Sequence, residues 1–112
     1  MAYEVNGKTI EADENGYLVN IDDWTEDVGR AIAAAEDVEL TDKAWDVINY
    51  LRDEYINNGA NQPNDRNIVK AMSDQWGEKV QSKDLYDIFP MQPSKQAARI
   101  GGLPESRRKG GY

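Results

Sequence analysis

Apolar side chains recur at three- and four-residue spacing after Thr41, and this repeat constrains the fold more than any other feature of the sequence. The residues that carry it are Ala44, Trp45, Ile48, Leu51 and Tyr55. A period of 3.6 residues places all of them on one face of an α-helix, for which Thr41 is a typical N-cap. Because such a helix must bury its apolar face, the repeat predicts a body of packed helices.

The first residues of the chain carry the pattern of a β-hairpin. Asn6-Gly7 stands between alternating residues, and this dipeptide favours a two-residue turn because both positions tolerate positive φ. Glu14-Asn15-Gly16 marks a second turn. We expect a hairpin or a three-stranded meander over residues 3–19, packed on a helix because an isolated hairpin is only marginally stable.

Caps and periodicity predict the other helices. One begins at Asp22 or Asp23 and is expected to break near Gly29, because glycine weakens a helix interior. A second runs from about 64 to 77, and a short one, capped by Ser82, stops before residue 90. A last helix of one or two turns is expected after it, capped by Ser94.

These elements give a fold class that is mainly α with a small N-terminal β-hairpin (α+β). The length of 112 residues is that of one domain. We assign residues 1–104 to it, with the hairpin over about 3–19 and a compact helical body over about 22–100. Residues 105–112 are rich in glycine and cations, so we predict a flexible basic C-terminal tail.

The composition excludes several kinds of chemistry. The chain has no cysteine and no histidine, which rules out thiol nucleophiles, disulfides, zinc fingers and histidine acid–base catalysis in this sequence. No phosphate loop or nucleophile elbow occurs. We therefore expect no catalytic residue, cofactor or metal site, and no enzyme. No segment has the length and apolarity of a membrane span, and the N-terminal residues lack a signal-peptide pattern, so we expect a cytoplasmic protein. We also expect it to be a monomer.

The net charge of −8 conceals an asymmetry. Residues 1–65 carry 16 acids and 4 bases, whereas residues 66–112 carry 9 bases and 5 acids. One interpretation is a solvated acidic surface with a tail kept soluble by its cations. The other is a basic C-terminal half that meets an anionic partner.

The predicted helices over residues 64–89 allow an alternative function. They could form a helix-turn-helix pair with Arg66, Lys70, Lys79 and Lys83 near DNA, as in a transcriptional regulator. The acidic first half of the chain opposes such binding, because phosphate contacts supply most of the affinity. A continuous basic face on this pair would favour DNA, and scattered charges would not.

Three groups of residues, in order along nearly the whole chain, match one known family. They are Asn15-Gly16-Tyr17-Leu18 with Asp23-Trp24; Leu40-Thr41 with Trp45, Ile48, Leu51-Arg52, Tyr55, Pro63, Arg66, Ile68 and Lys70; and Leu85-Tyr86 with Phe89-Pro90, Pro93, Lys95-Gln96-Ala97, Ile100 and Gly102-Leu103-Pro104. In these residues the chain resembles the DsrC/TusE family of sulfur-relay proteins. The resemblance implies a mostly helical domain whose C-terminal arm inserts into a partner such as dissimilatory sulfite reductase, or works in a relay that thiolates tRNA.

The resemblance also implies where sulfur would be carried. Family carriers have a penultimate cysteine on the arm, and DsrC has a second one upstream; Gly111 and Ala98 occupy these positions here. Aligned from Ala98 instead, Lys109 falls near the position of the arm cysteine. The three methionine thioethers cannot carry a sulfane sulfur.

We therefore expect a non-catalytic binding or regulatory protein of sulfur metabolism. It would be unable to carry a persulfide itself and would dock on a sulfite reductase or a sulfur-relay protein, nucleic acid being the less favoured partner. The residues expected to contact the partner are Arg66, Lys70, Lys95, Gln96, Arg99, Arg107, Arg108 and Lys109.

Overall fold

A computed structural model describes residues 1–106 and shows an N-terminal hairpin followed by a group of helices. The strands are β1 (Ala2–Val5) and β2 (Lys8–Glu11), and a short 3-10 helix covers Ile21–Asp23. The α-helices are α1 (Glu26–Ala35), α2 (Asp42–Asn57), α3 (Asp65–Trp76), α4 (Ser82–Ile88) and α5 (Pro93–Ile100). The predicted fold class, mainly α with a small hairpin, is confirmed.

The hairpin forms at the predicted turn. Strands β1 and β2 pair antiparallel, with Tyr3 opposite Ile10, and the turn residues Asn6 and Gly7 have φ values of 52° and 80°. Strand β1 packs against α1, which supplies the helix that a hairpin needs. After the second turn only Leu18 forms a bridge, to Ala12, so the third segment is shorter than a full strand.

Helix α1 differs from the prediction at its start and in its continuity. It begins at Glu26, because the Thr25 side chain accepts a hydrogen bond from the Val28 amide at 3.2 Å. The acids expected as caps lie in the preceding 3-10 helix instead. Gly29 does not break α1: a Cβ there would meet the Trp24 ring and the Ile100 carbonyl at 3.2–3.3 Å, so glycine lets these groups pack closely against the helix.

Helices α2 and α3 begin where the sequence predicts, and α3 also ends there. Thr41 caps α2 through its hydroxyl, and Asn64 caps α3 by accepting from the Asn67 amide at 2.9 Å. Gly77 ends α3 in the left-handed conformation, with φ of 67°. Helix α4 starts at Ser82, but Gln81 occupies the N-cap position.

Helix α5 is longer and more central than the sequence indicates. It begins at Pro93, so Ser94 lies inside it and is buried rather than capping it. Helix α5 contacts each of the other four α-helices, and Ala97 and Ile100 are fully buried. The chain therefore leaves the middle of the core when α5 ends. None of the helices within residues 1–106 combines the length and apolarity that crossing a membrane requires.

Candidate docking site

The residues that follow α5, from Gly101 to Ser106, form what we call the arm base. Three side chains from distant elements donate hydrogen bonds to carbonyls at its start and within it. Trp24 Nε1 donates to Ile100 O at 2.8 Å, Arg52 Nη1 to Gly101 O at 2.5 Å, and Gln62 Nε2 to Pro104 O at 2.9 Å. The carbonyls of Ile100 and Gly101 lie at the C-terminus of α5 and have no partner within the helix, so Trp24 and Arg52 satisfy them. Together with Gln62, which binds Pro104 O, they fix the path of the chain.

The Arg52 guanidinium also stacks on the indole of Trp24, with its central carbon 3.9 Å from the ring centroid. Burial lowers the pKa of Arg52 from its ordinary value, but an arginine stays charged in a protein. The cation–π contact and the hydrogen bond to Gly101 O therefore use the same positive charge. A positive charge is favourable at this end of α5, where the helix dipole is negative.

Gly102 brings the backbone of the arm base against the face of Trp24. Its φ is 74°, and a Cβ at this position would overlap the indole ring. Leu103 is then buried, and its amide donates to Ala98 O at 2.9 Å. Two glycine properties, positive φ and the absence of a side chain, are thus both needed at residue 102.

The arm base also covers Ala98, the position at which the resemblance implies an upstream cysteine. Ala98 is buried in a small cavity that it shares with Leu51, Pro63, Leu103 and Ser106. Further along, Asn15 Nδ2 donates to Glu105 Oε1 at 3.3 Å, so the first residues of the predicted tail lie against the body. Gly111, the other position, lies outside the described residues.

Two of the predicted partner contacts, Gln96 and Arg99, instead bind Glu36 of α1. Arg99 Nε and Nη2 donate to the two carboxylate oxygens at 2.5 and 2.6 Å, and Gln96 Nε2 donates to Oε1 at 2.9 Å. Hydrogen bonding to Glu36 raises the pKa of Arg99 further. Gln96 is fully buried and its side chain faces Glu36 in this structure, whereas Arg99 is partly exposed; as contacts of a partner, both stay predictions.

The other predicted contacts within residues 1–106 are Arg66 and Lys70 on α3 and Lys95 on α5. Arg66 and Lys70 are exposed and Lys95 is half-buried, and within these residues none of the three has an ion-pair partner. Arg107, Arg108 and Lys109 lie outside the described residues. The three cations on the body remain proposed contacts.

The charges on α3 and α4 do not form the basic face that DNA binding would need. The exposed bases are Arg66, Lys70, Lys79 and Lys83, and they are interspersed with exposed Asp74, Glu78, Asp84 and Asp87. Lys79 lines a groove between the two helices together with Glu78, Asp84 and Asp87. Within the described part of the chain, positive and negative charges are therefore scattered over helices α3 and α4. This distribution does not favour the alternative function of DNA binding.

Sequence reasoning did not identify the donors to the arm base or the acceptor Glu36. The three donors lie 76, 49 and 42 positions from the carbonyls they bind. Local periodicity and caps report on neighbours within about four residues, so they carry no signal for such pairs. Trp24 and Arg52 did belong to the residues that carried the family resemblance, although without this role.

Comparison with protein families gives a match over most of the chain. The family described as "DsrC like protein" matches residues 4–108. The sulfurtransferase TusE homolog of Haemophilus influenzae is 43% identical over 102 residues, which cover 90% of this chain and 93% of that protein. Sulfurtransferase TusE of Escherichia coli is 41% identical over 100 residues, with 88% and 91% covered.

Solved structures show the same fold. DsrC of Allochromatium vinosum superposes with a TM-score of 0.86 at 40% identity, covering 96% of this chain and 98% of that one. The oxidised gamma-subunit of the dissimilatory sulfite reductase of Archaeoglobus fulgidus gives 0.88 at 34% identity, with the same coverage. A chain in the crystal structure of dissimilatory sulfite reductase I gives 0.77 at 28% identity.

The relatives overturn one expectation from the sequence. We predicted that the chain is not an enzyme, and this prediction is wrong, because relatives 41–43% identical over most of the chain are named sulfurtransferases. That prediction rested on the absence of a thiol and of the other common catalytic side-chain patterns from the sequence. The relatives indicate a role in sulfur transfer, and the family match over residues 4–108 shows that the chain belongs to the DsrC-like family of sulfur-relay proteins.

Proposed function

We propose that the chain takes part in sulfur transfer by docking on a sulfite reductase or another sulfur-relay protein. In this proposal the persulfide is held on a thiol of another chain of the complex, because the 112 residues contain no cysteine. A docked chain without a thiol would also compete with cysteine-bearing relatives for the same partner, which is a regulatory consequence of the same binding.

The observation that carries the proposal is the construction of the arm base. Trp24, Arg52 and Gln62 hold its carbonyls, so the residues that follow Ser106 start from a defined point on the body. Pre-organising the start of a binding segment reduces the conformational entropy lost on association. The dedicated donors support a role for the arm in docking, although no thiol is present on it.

Electrostatics supports the choice of an anionic partner surface. Arg66, Lys70 and Lys95 lie on the C-terminal half of the chain, together with Arg107, Arg108 and Lys109, whereas most acids lie before residue 66. Cations of this kind mainly raise the association rate and make it depend on salt. We therefore expect binding to weaken as ionic strength increases.

Removing residues 107–112 tests the docking role of the arm. We expect the chain that ends at Ser106 to bind purified dissimilatory sulfite reductase at least about tenfold more weakly than the full chain, a loss of about 1.4 kcal/mol. Thermal unfolding should be unchanged, because the apolar core lies within residues 1–106. Affinity is measured by surface plasmon resonance at two salt concentrations.

A full-length variant with Arg107, Arg108 and Lys109 all changed to glutamine is the matched control for charge. If it binds like the full chain while the truncated chain does not, the arm acts through contacts other than its cations. Equal affinity of the truncated and full chains, or a large fall in thermal stability on truncation, would contradict the docking role.

A sulfur-loading experiment tests where the persulfide is held. After incubation with a low-molecular-weight persulfide donor, we expect the natural chain to keep its mass, because it has no thiolate to accept the sulfur. The variant Gly111→Cys should gain the mass of one sulfur atom, and dithiothreitol should remove it. Intact-protein mass spectrometry reads both results, and a reducible gain of sulfur by the natural chain would refute this part of the proposal.

A further inference from the structure

The loop between α4 and α5 exposes a large apolar side chain between two buried residues. Phe89 and Pro93 are buried, whereas Met91 is 68% exposed. Exposed methionine is common on protein-binding surfaces, because its thioether adapts its shape to different contacts. A single exposed apolar residue does not by itself indicate a binding site. The case for Met91 therefore depends on the backbone conformation that presents it.

The backbone beside Met91 is strained. Gln92 has a φ of 69° and a ψ of 98°, a conformation that residues other than glycine seldom adopt. It also precedes Pro93, and a residue before proline favours negative φ and extended backbone. Such strain persists only where surrounding contacts enforce it, and it clusters at binding sites.

Contacts from α5 enforce this conformation. The Met91 amide donates to Gln96 Oε1 at 3.0 Å, and the Gln92 carbonyl accepts from the amides of Lys95 and Gln96. Gln96 is itself held by Glu36, whose carboxylate is also bound by Arg99. The buried network therefore fixes the backbone that presents Met91, so little backbone entropy is lost when this surface binds, while the exposed thioether can still adapt its shape.

Met91 lines a groove of about 490 Å³ between α5, α1 and the hairpin. Met1 and Ala35 contribute exposed apolar surface above the buried Tyr3, while Glu14, Glu36 and Arg99 contribute charge. Glu36 and Arg99 neutralise each other, and within residues 1–106 Glu14 has no ion-pair partner. Among the described residues, the groove thus combines exposed apolar surface with one negative charge that lacks an ion-pair partner.

We propose that this surface, the Met91 groove, binds a partner protein segment that places an apolar or aromatic side chain next to a lysine or arginine. The apolar side chain would contact Met91 and Met1, which are both exposed and whose thioethers favour an aromatic neighbour. The cation would meet Glu14. Within the described residues 1–106, those that line this surface all precede Gly101, and the proposal does not depend on the identity of the sulfur-relay partner.

The methionines of the chain provide the test. The full chain, labelled with ¹³C in its methionine methyl groups, has three reporters: Met91 and Met1 line the groove, and Met72 is fully buried in the core. The probe is the peptide acetyl-Lys-Leu-Phe-Lys-amide, and the control is acetyl-Glu-Leu-Phe-Glu-amide. We expect the basic peptide to shift the Met91 methyl signal with saturation, the acidic peptide to have at least about fivefold lower affinity, and Met72 to stay unchanged.

The variant Glu14→Lys, at an exposed turn position, should remove the preference for the basic peptide without affecting the Met72 signal. No shift of Met91 at millimolar peptide, or equal binding of the two peptides, would overturn the proposal. A shift of Met91 on deletion of residues 107–112 would also overturn it, because the occupant would then be the chain's own basic segment.

Discussion

Replacing Glu36 by alanine is expected to lower the free energy of unfolding by about 3 kcal/mol, the largest loss that we predict for a single polar side chain. The change removes the acceptor of three hydrogen bonds, two from Arg99 and one from Gln96. The side chains of Arg99 and Glu36 are only 16% and 18% exposed, so water replaces the lost partner poorly. The Arg99 charge and the buried Gln96 amide would both be left without their acceptor. Urea unfolding followed by circular dichroism measures the loss.

The matched control for this variant is Glu26→Ala. Glu26 pairs with Arg30 at 3.3 Å, but both side chains are more than half exposed. Exposed pairs contribute less than about 1 kcal/mol, so this variant should be nearly as stable as the natural chain. Equal losses for the two variants would show that the buried network does not stabilise α5. Glu36→Gln, which retains one acceptor oxygen, should lie between them.

Gly102→Ala is expected to cost about 3 kcal/mol of unfolding free energy and to weaken partner binding. The new Cβ would overlap the Trp24 ring, and the residue would keep an unfavourable φ of 74°. The ring cannot retreat without giving up the hydrogen bond from its Nε1 to Ile100 O and its stacking on Arg52. The substitution should therefore disturb the arm base as well as the core, and both thermal unfolding and sulfite reductase affinity should respond.

Gly77→Ala separates backbone strain from the overlap with Trp24. Gly77 has a similar φ of 67°, but a Cβ there would have no atom within 4 Å. It should cost about 1 kcal/mol, from the left-handed backbone alone, and leave binding unchanged. If the two alanine variants lose the same stability, the close approach of Gly102 to Trp24 is not the reason for this glycine.

The elements that the sequence predicted well are those whose signals are local. Asn6-Gly7 specifies a tight turn, Thr41 and Asn64 cap the helices that follow them, and Gly77 ends a helix in the left-handed conformation. Each of these signals acts within about one turn of backbone, so no knowledge of distant residues is needed. The hairpin, α2 and α3 follow from them with nearly correct ends.

The start of α1 was predicted wrongly because several residues near it can cap a helix. Asp22, Asp23 and Thr25 all have suitable side chains. Trp24 is extended, with φ of −72° and ψ of 135°, while its indole reaches Ile100 O from the other end of the chain. A helix continuing through residue 24 would move this indole, so a tertiary contact selects Thr25.

In the candidate site, too, some features follow from the sequence and others only from the tertiary structure. The missing thiol and the cations of the C-terminal half can be read from the sequence. The surroundings of the residues expected to contact a partner could not be predicted. Gln96 is buried in a network with Glu36, while Arg66 and Lys70 are exposed. Periodicity assigns a residue to a helix face, but it does not say which neighbour covers that face.

The sequence by itself thus determined the helix-forming stripes, the hairpin turn and the absence of a thiol. Only the tertiary structure decided that Trp24, Arg52 and Gln62 meet at the arm base, and that a strained Gln92 presents Met91 over a groove. The reason is physical: caps and turns depend on interactions between near neighbours, whereas these contacts depend on how α5 packs among the other helices. That packing comes from burial summed over the whole core, which no local segment encodes.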